Sequence, residues 1–200
     1  MNRSESGWEI LARRDSGSTP YLGQEIWTVH HKSDSPGVYH EFQIILGKDY
    51  VQVVGCTGDG QAVLIVEDHV ANGIDLQVVA GGIKEGQTPN QAADDEFSSE
   101  TGWIAGRFVY LGSHVPQTDR FVSCTLGNDG AKRCHMFLAL DLSPTSQRLE
   151  VTEKIRTVLI PWGTAVSAAR TGGIVPEIKL PIDDGGSRLI LLLADGFLKG

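Results

Sequence analysis

Apolar residues in this chain fall mostly in short runs and alternations of strand length, and only three stretches carry helical spacing. Trp8 to Leu11 is a short predicted strand, Glu25 to His31 alternates with β-branched and aromatic residues, and Tyr39 to Leu46 is a further strand. Ser33-Asp34-Ser35-Pro36-Gly37 is a turn. Tyr50 to Val54 and Ala62 to Val66 then flank Thr57-Gly58-Asp59-Gly60, a hairpin turn sequence. Leu76 to Val79 leads into Gly81 and Gly82, and Phe108 to Leu111, Phe121 to Thr125, Cys134 to Leu140 and Lys154 to Ile160 complete the strands. Trp162 to Arg170 reads as a helix ended by Thr171-Gly172-Gly173, and Ser187 to Phe197 as a final helix. Mixed strands with few helices, in this order, predict an α+β fold with a mixed sheet. The expected division is an N-terminal β subdomain over 1–49 and a main domain over 50–200.

The remaining helix carries the chemistry. Thr88-Pro89-Asn90-Gln91 is a strong helix start: Thr88 can cap, Pro89 suits the first helical position and Gln91 completes a capping box. Gly102 can end the helix in a left-handed conformation, which predicts a helix over Pro89–Thr101. Glu96 and Glu100 lie four apart and share a face of it. Hard oxygen ligands on a rigid helix suit magnesium or manganese, and the bend at Gly81-Gly82 can turn the carbonyl of Ala80 toward the same ion. A pair of glutamates on a helix after a glycine turn also reads as a plain solvated acidic face.

Composition narrows the partners. The chain has 200 residues, 40% of them apolar, and a formal net charge of −8. An acidic chain without a basic run is a poor nucleic-acid or anionic-membrane binder, but a bound metal would let it take an anionic small molecule. Cys56, Cys124 and Cys134 lack metal-like spacing and are expected to be reduced. With no signal-peptide pattern at its start and no long apolar run, a cytoplasmic location is expected. His69, His114 and His135 have no metal spacing, and Ser98 and Ser99 have no recognisable His-Asp partners.

The stretch Gly81 to Trp103 resembles the Nudix box, whose pattern is Gly, five residues, Glu, seven residues, then Arg-Glu-apolar-x-Glu-Glu-x-Gly-apolar. Gly81, Glu96, Phe97, Glu100, Gly102 and Trp103 match it, whereas Gln87, Asp95 and Ser99 replace the first Glu, the Arg and the middle Glu. Val78-Val79-Ala80-Gly81, Leu111-Gly112-Ser113, His135 to Ala139 and Glu153-Lys154-Ile155 look like the ADP-ribose and nucleotide-sugar pyrophosphatase branch. That branch tends to carry a Glu and an Arg where this chain has Gln77 and Asp68-His69-Val70.

The resemblance implies an α/β/α sandwich with an N-terminal β subdomain that forms a homodimer. It also implies a Mg²⁺- or Mn²⁺-dependent pyrophosphatase acting on a nucleoside diphosphate-linked small molecule. Glu96 and Glu100, with the Ala80 carbonyl, would be the metal ligands. Glu153, with Glu150 as backup, would be the water-orienting carboxylate. Arg120 would meet a phosphate, and Trp27 would stack on a base or else pack in a core. Gln87 can donate to Asp95, so a hydrogen bond can stand in for the ion pair of the pattern. The loss of a carboxylate at Ser99 keeps open a nucleotide-binding or regulatory protein without hydrolysis, or a biosynthetic relative with an unusual substrate.

Overall fold

The computed structural model describes residues 7–18, 22–69, 73–115, 122–125 and 132–200. In chain order the elements are β1 (Trp8–Ser18), β2 (Leu22–His31), β3 (His40–Gly47), β4 (Tyr50–Cys56), β5 (Gln61–His69), β6 (Gly73–Gln77), β7 (Val79–Gly82), α1 (Pro89–Thr101), β8 (Trp103–His114), β9 (Val122–Thr125), β10 (Cys134–Pro144), β11 (Ile155–Pro161), α2 (Trp162–Thr171), β12 (Ile174–Val175), β13 (Leu180–Pro181) and α3 (Gly185–Lys199). They form two compact units, residues 1–49 with 115–133, and 50–114 with 134–200. Residues 115–133 group with the first unit because β9 pairs in parallel with β3, Ile44 opposite Val122 and Gly47 opposite Thr125. The sequence division placed them in the second.

The first unit is a four-stranded sheet ordered β1-β2-β3-β9, antiparallel except at the last pair. Its apolar cluster is Trp27, Val29 and Ile44, with Leu46 packed against it.

The second unit follows the alternation of its strands. Val51 and Val53 of β4, Val63 and Ile65 of β5, and Phe137 and Ala139 of β10 face α1, packing on Ala92, Ala93 and Phe97. Their neighbours Val54, Leu64, Val66, Met136 and Leu138 point the other way, onto α2 and α3 through Ala165, Ala169, Ile190 and Leu191. Period-2 side chains buried on both faces make a sheet with helices on each side. The strand order is β11-β5-β4-β10-β8, with β4 and β10 parallel and the other neighbouring pairs antiparallel. This is an α+β architecture in three layers.

The β4–β5 hairpin is tight, with Gly60 at φ +80°, where L side chains are strained. Beyond Gly55 and Cys56 the two strands part. β5 then pairs with β6, and β4 with β7, so Val78 is the crossing between them. The sequence predicts one strand over Leu76 to Val79, and the structure divides it there. The Val78 N–H donates to Ser187 Oγ at 3.1 Å, and Ser187 Oγ donates to Asp184 Oδ2 at 2.7 Å. Asp184 is the N-cap of α3 and also accepts from Gln52 Nε2 at 3.3 Å. The start of α3 therefore holds the crossing from which the glycine loop departs.

α1 spans the residues the capping pattern predicts, and α2 ends on Gly172 in the left-handed conformation. The small β12–β13 hairpin was not foreseen, since two-residue strands carry no periodicity. Phe121, predicted as a strand start, lies outside the described residues.

α2 and α3 are joined by a polar node. The buried Asp195 carboxylate accepts from Trp162 Nε1 at 3.3 Å and from Lys199 Nζ at 2.7 Å, with Arg170 Nη2 at 3.7 Å. The Lys199 hydrogen bond leads the effects that hold its pKa below the usual 3.8. Such a group stabilises the fold above its unfolded pKa and loses that effect as pH falls through the folded value. Asp195→Asn is expected to cost about 1–2 kcal/mol near neutral pH. Thermal melts should show the gap to wild type closing below about pH 4, the carboxylate range.

Candidate functional site

The site is built from both ends of α1. Thr88 Oγ1 accepts from the Gln91 backbone N–H at 3.3 Å, and Gln91 Oε1 accepts from the Thr88 N–H at 2.9 Å. Both halves of the capping box are thus made. Gly102, at φ +69°, closes the helix with its N–H on the Ser98 carbonyl.

The loop before the helix is braced as the sequence suggested. Gln87 Nε2 donates to Asp95 Oδ2 at 2.7 Å, and Gln87 Oε1 accepts from the Lys84 N–H at 3.0 Å. One neutral side chain ties the loop both to itself and to the helix.

Gly81 lies under α1. A Cβ there would stand 2.2 Å from Glu96 Cδ and 2.7 Å from Glu96 Oε1. Only a glycine lets the Glu96 side chain lie on the strand. Burial, with the charges of Glu153, Asp95 and Glu150, raises the Glu96 pKa, and Lys84 partly offsets this.

One turn on, Glu100 is 4% exposed. Its Oε2 is buried and has no hydrogen-bond partner among the described residues. Burial first, then the charges of Glu96, Glu153 and Glu67, push its pKa up to about 9. The Glu100 backbone carbonyl accepts from Gln147 Nε2 and from Thr157 Oγ1, which pins this end of α1 to the segment before β11 and to β11 itself. The same segment turns back so that the Glu150 N–H donates to Glu153 Oε2 at 2.7 Å, which orients the Glu153 carboxylate.

These parts enclose a cleft of about 290 Å³ lined by Lys84, Asp95, Glu96, Ser99, Arg148, Glu150 and Glu153. Among the described residues no three His, Cys, Asp or Glu side chains form a ready-made metal cluster. The donor set still suits a divalent cation. A buried carboxyl with an orphaned oxygen beside other carboxylates is unfavourable to ionise without a positive charge, and hard oxygen donors are what magnesium and manganese take.

The sequence-derived candidates fare unequally. Glu96 and Glu153 line the cleft together, with Glu150, and Glu100 is close enough to feel both. Ala80 is on β7, opposite Gln52. Ser99 Oγ donates back to the Glu96 carbonyl at 3.2 Å. Arg120 lies outside the described residues. Trp27 is 8% exposed in the first unit, with Arg13 4.4 Å above its ring and its Nε1 donating to Glu25 Oε2 at 2.6 Å. As it stands its ring is packed in the core, the other of the two roles expected for it. Lys84 and Arg148 were not singled out from the sequence, because they stand in loops with no periodic pattern. Neither was Glu67, which accepts from Gln77 Nε2 at 2.7 Å, with His69 Nε2 at 3.5 Å.

No family model matches the chain, and no curated protein matches it. Among solved structures, the crystal structure of an ADP compounds hydrolase superposes with a TM-score of 0.73, over 96% of this chain and 95% of that one, at 19% identity. The fold is Nudix-like. Such a likeness gives the framework around the cleft, and the chemistry has to be read from the side chains within it.

Two outcomes follow from this geometry. Gly81→Ala should displace Glu96 while leaving a folded protein, seen as a loss of about tenfold or more in divalent-ion affinity with native circular dichroism. Glu100→Gln tests the buried carboxyl. A raised folded pKa means that the folded state keeps a proton the unfolded state has lost, so stability falls as pH rises from about 4.5 toward 9. With divalent ions chelated, Glu100→Gln should melt above wild type at pH 8.5, by on the order of 1–3 kcal/mol, with the gap shrinking toward pH 5.

Proposed function

We propose that this chain is a divalent-metal-dependent hydrolase. It cleaves the phosphoanhydride of a nucleoside diphosphate derivative, of the ADP-ribose or nucleotide-sugar type, to a nucleoside monophosphate and a phosphorylated product. The observation that carries the reading is the buried Glu100 carboxyl with its orphaned oxygen, within electrostatic reach of Glu96 and Glu153, which line one cleft. The likeness in fold to an ADP compounds hydrolase supports it.

In this reading Glu96, Glu100 and the Ala80 carbonyl hold Mg²⁺ or Mn²⁺. Bound there, the ion offsets negative charge on the phosphates and makes water a better nucleophile. Glu153 orients the attacking water and takes its proton, and its fixed hydrogen bond from the Glu150 N–H keeps one carboxylate oxygen turned in a constant direction. Gly81 keeps Glu96 against the strand, and the Gln87–Asp95 bond keeps the loop against the helix. A homodimer formed through the first unit and a cytoplasmic setting belong to the same proposal.

Ser99 favours a second reading. Its hydroxyl is turned onto the helix backbone and adds no charge to the cleft, so nucleotide binding without turnover is the alternative. One assay separates them. Nucleoside diphosphate derivatives are screened with Mg²⁺ and Mn²⁺, and released nucleoside monophosphate is measured. Hydrolysis should appear with metal, and Glu96→Gln should lower kcat by about 100-fold or more. Tight nucleotide binding with turnover no faster than the Glu96→Gln control would discard the hydrolase.

A further inference from the structure

The cleft holds two cations as well as its carboxylates. Asp95, Glu96, Glu150 and Glu153 face Lys84 and Arg148, which leaves the lining at a formal charge of −2. Neither cation lies within 4.0 Å of a carboxylate oxygen among the described residues, although four carboxylates share their cleft. Both are held there by their backbones. The Lys84 N–H donates to Gln87 Oε1 at 3.0 Å, and the Arg148 N–H donates to the Ser99 carbonyl at 2.8 Å. Among the described residues the Arg148 side chain has only a long contact, Nη2 to Ser98 Oγ at 3.5 Å.

A site made only to bind a metal gains nothing from Lys84 and Arg148, since each repels the ion. A site made for a free anion gains nothing from four carboxylates. The mixture suits the two together. One divalent ion brings the lining to neutrality and a second to +2, which matches a diphosphate. At about 290 Å³ the cleft is at the small end for a ligand site, so it fits a diphosphate better than a whole nucleotide derivative.

We propose that Lys84 and Arg148 are the phosphate-gripping residues of this cleft, and that its ligand is a metal-chelated diphosphate gripped from two different loops. Arg148 offers paired donors to one phosphate, and Lys84 a single point charge to the other. In the pattern the chain resembles, the arginine belongs to the helix. Here the helix carries Asp95 at that position, and the guanidinium in the cleft comes from the segment before β11. The assignment rests on the reading of the cleft as a metal–phosphate site.

The test uses the whole chain, with Mn²⁺ alone and Mn²⁺ with methylene diphosphonate, a diphosphate that cannot be hydrolysed, as probes in calorimetric titrations. In the Lys84→Ala/Arg148→Ala double variant, Mn²⁺ alone should bind as tightly as in wild type or more tightly, because two repelling charges are gone. Binding of the diphosphonate in the presence of Mn²⁺ should weaken by about tenfold or more. Arg148→Lys should recover part of the loss, since it restores the charge without the paired donors. A general loosening of the loops would instead weaken both probes in parallel, and that result overturns the assignment. So does diphosphonate affinity unchanged within about twofold, which is below 1 kcal/mol. If wild type binds neither probe, the metal–phosphate reading falls as well. Chelate binding with the expected pattern but no hydrolysis of any substrate removes the hydrolase and leaves Lys84 and Arg148 as assigned.

Discussion

Position 81 has room for nothing larger than hydrogen, and the site depends on that constraint. Gly81 sits on β7 where Glu96 comes down from α1, and Gly55 sits on the neighbouring β4 where Phe97 comes down, a Cβ at position 55 being 2.6 Å from Phe97 Cζ. Two successive helix residues thus rest on two glycines of adjacent strands. Neither glycine has a positive φ, so close approach is the reason for both. The helix lies near enough to the sheet to half-bury Glu96 and to remove Glu100 from water. A helix standing off by one side chain would leave those carboxylates solvated and ordinary.

That closeness has a cost, and the apolar half of the helix offsets it. Glu96 and Glu100, when both are ionised, are like charges one turn apart, which weakens a helix by a few tenths of a kcal/mol. Phe97 is fully buried among Val53, Ile65 and Phe137, and burial of such a side chain contributes about 1.5–3 kcal/mol. Ala92 and Ala93 add contact without bulk, and caps at both ends satisfy backbone groups that would otherwise oppose the helix. The packing of one face therefore holds an unfavourable charge arrangement on the other in place.

Much of this was legible in the sequence, and for identifiable reasons. The limits of α1 rest on Thr88, Pro89, Gln91 and Gly102, whose effects are local. The Gln87–Asp95 bond is expected from the resemblance, whose pattern has an ion pair between those two positions. The two buried faces of the sheet follow from strand alternation. What escaped depends on contacts between segments distant along the chain. Val78 ends a strand because its N–H is taken by Ser187 of α3. Trp27 is shielded because Arg13 of the neighbouring strand lies over it. Arg148 meets the carboxylates of α1 because the segment before β11 is tied to the end of α1 by Gln147 and Arg148, and Lys84 meets them because Gln87 ties its loop to the helix. No local pattern marks any of these.

The three departures from the Nudix pattern also make better sense together than singly. Gln87 and Ser99 each remove a negative charge, and Asp95 replaces a positive charge with a negative one. The five charged positions of the pattern therefore keep a formal charge of −3, but a carboxylate has moved from position 99 to position 95. At 99 the side chain now turns to the helix backbone, while at 95 it lines the cleft and raises the pKa of Glu96. The formal charge of these positions is thus the same, differently distributed. The brace has changed in kind as well. A buried ion pair that loses one partner strands a charge, at about 3–5 kcal/mol. Asp95 is exposed, so water could replace Gln87 at little cost. The loop that carries Lys84 is held here by a weaker and more replaceable bond.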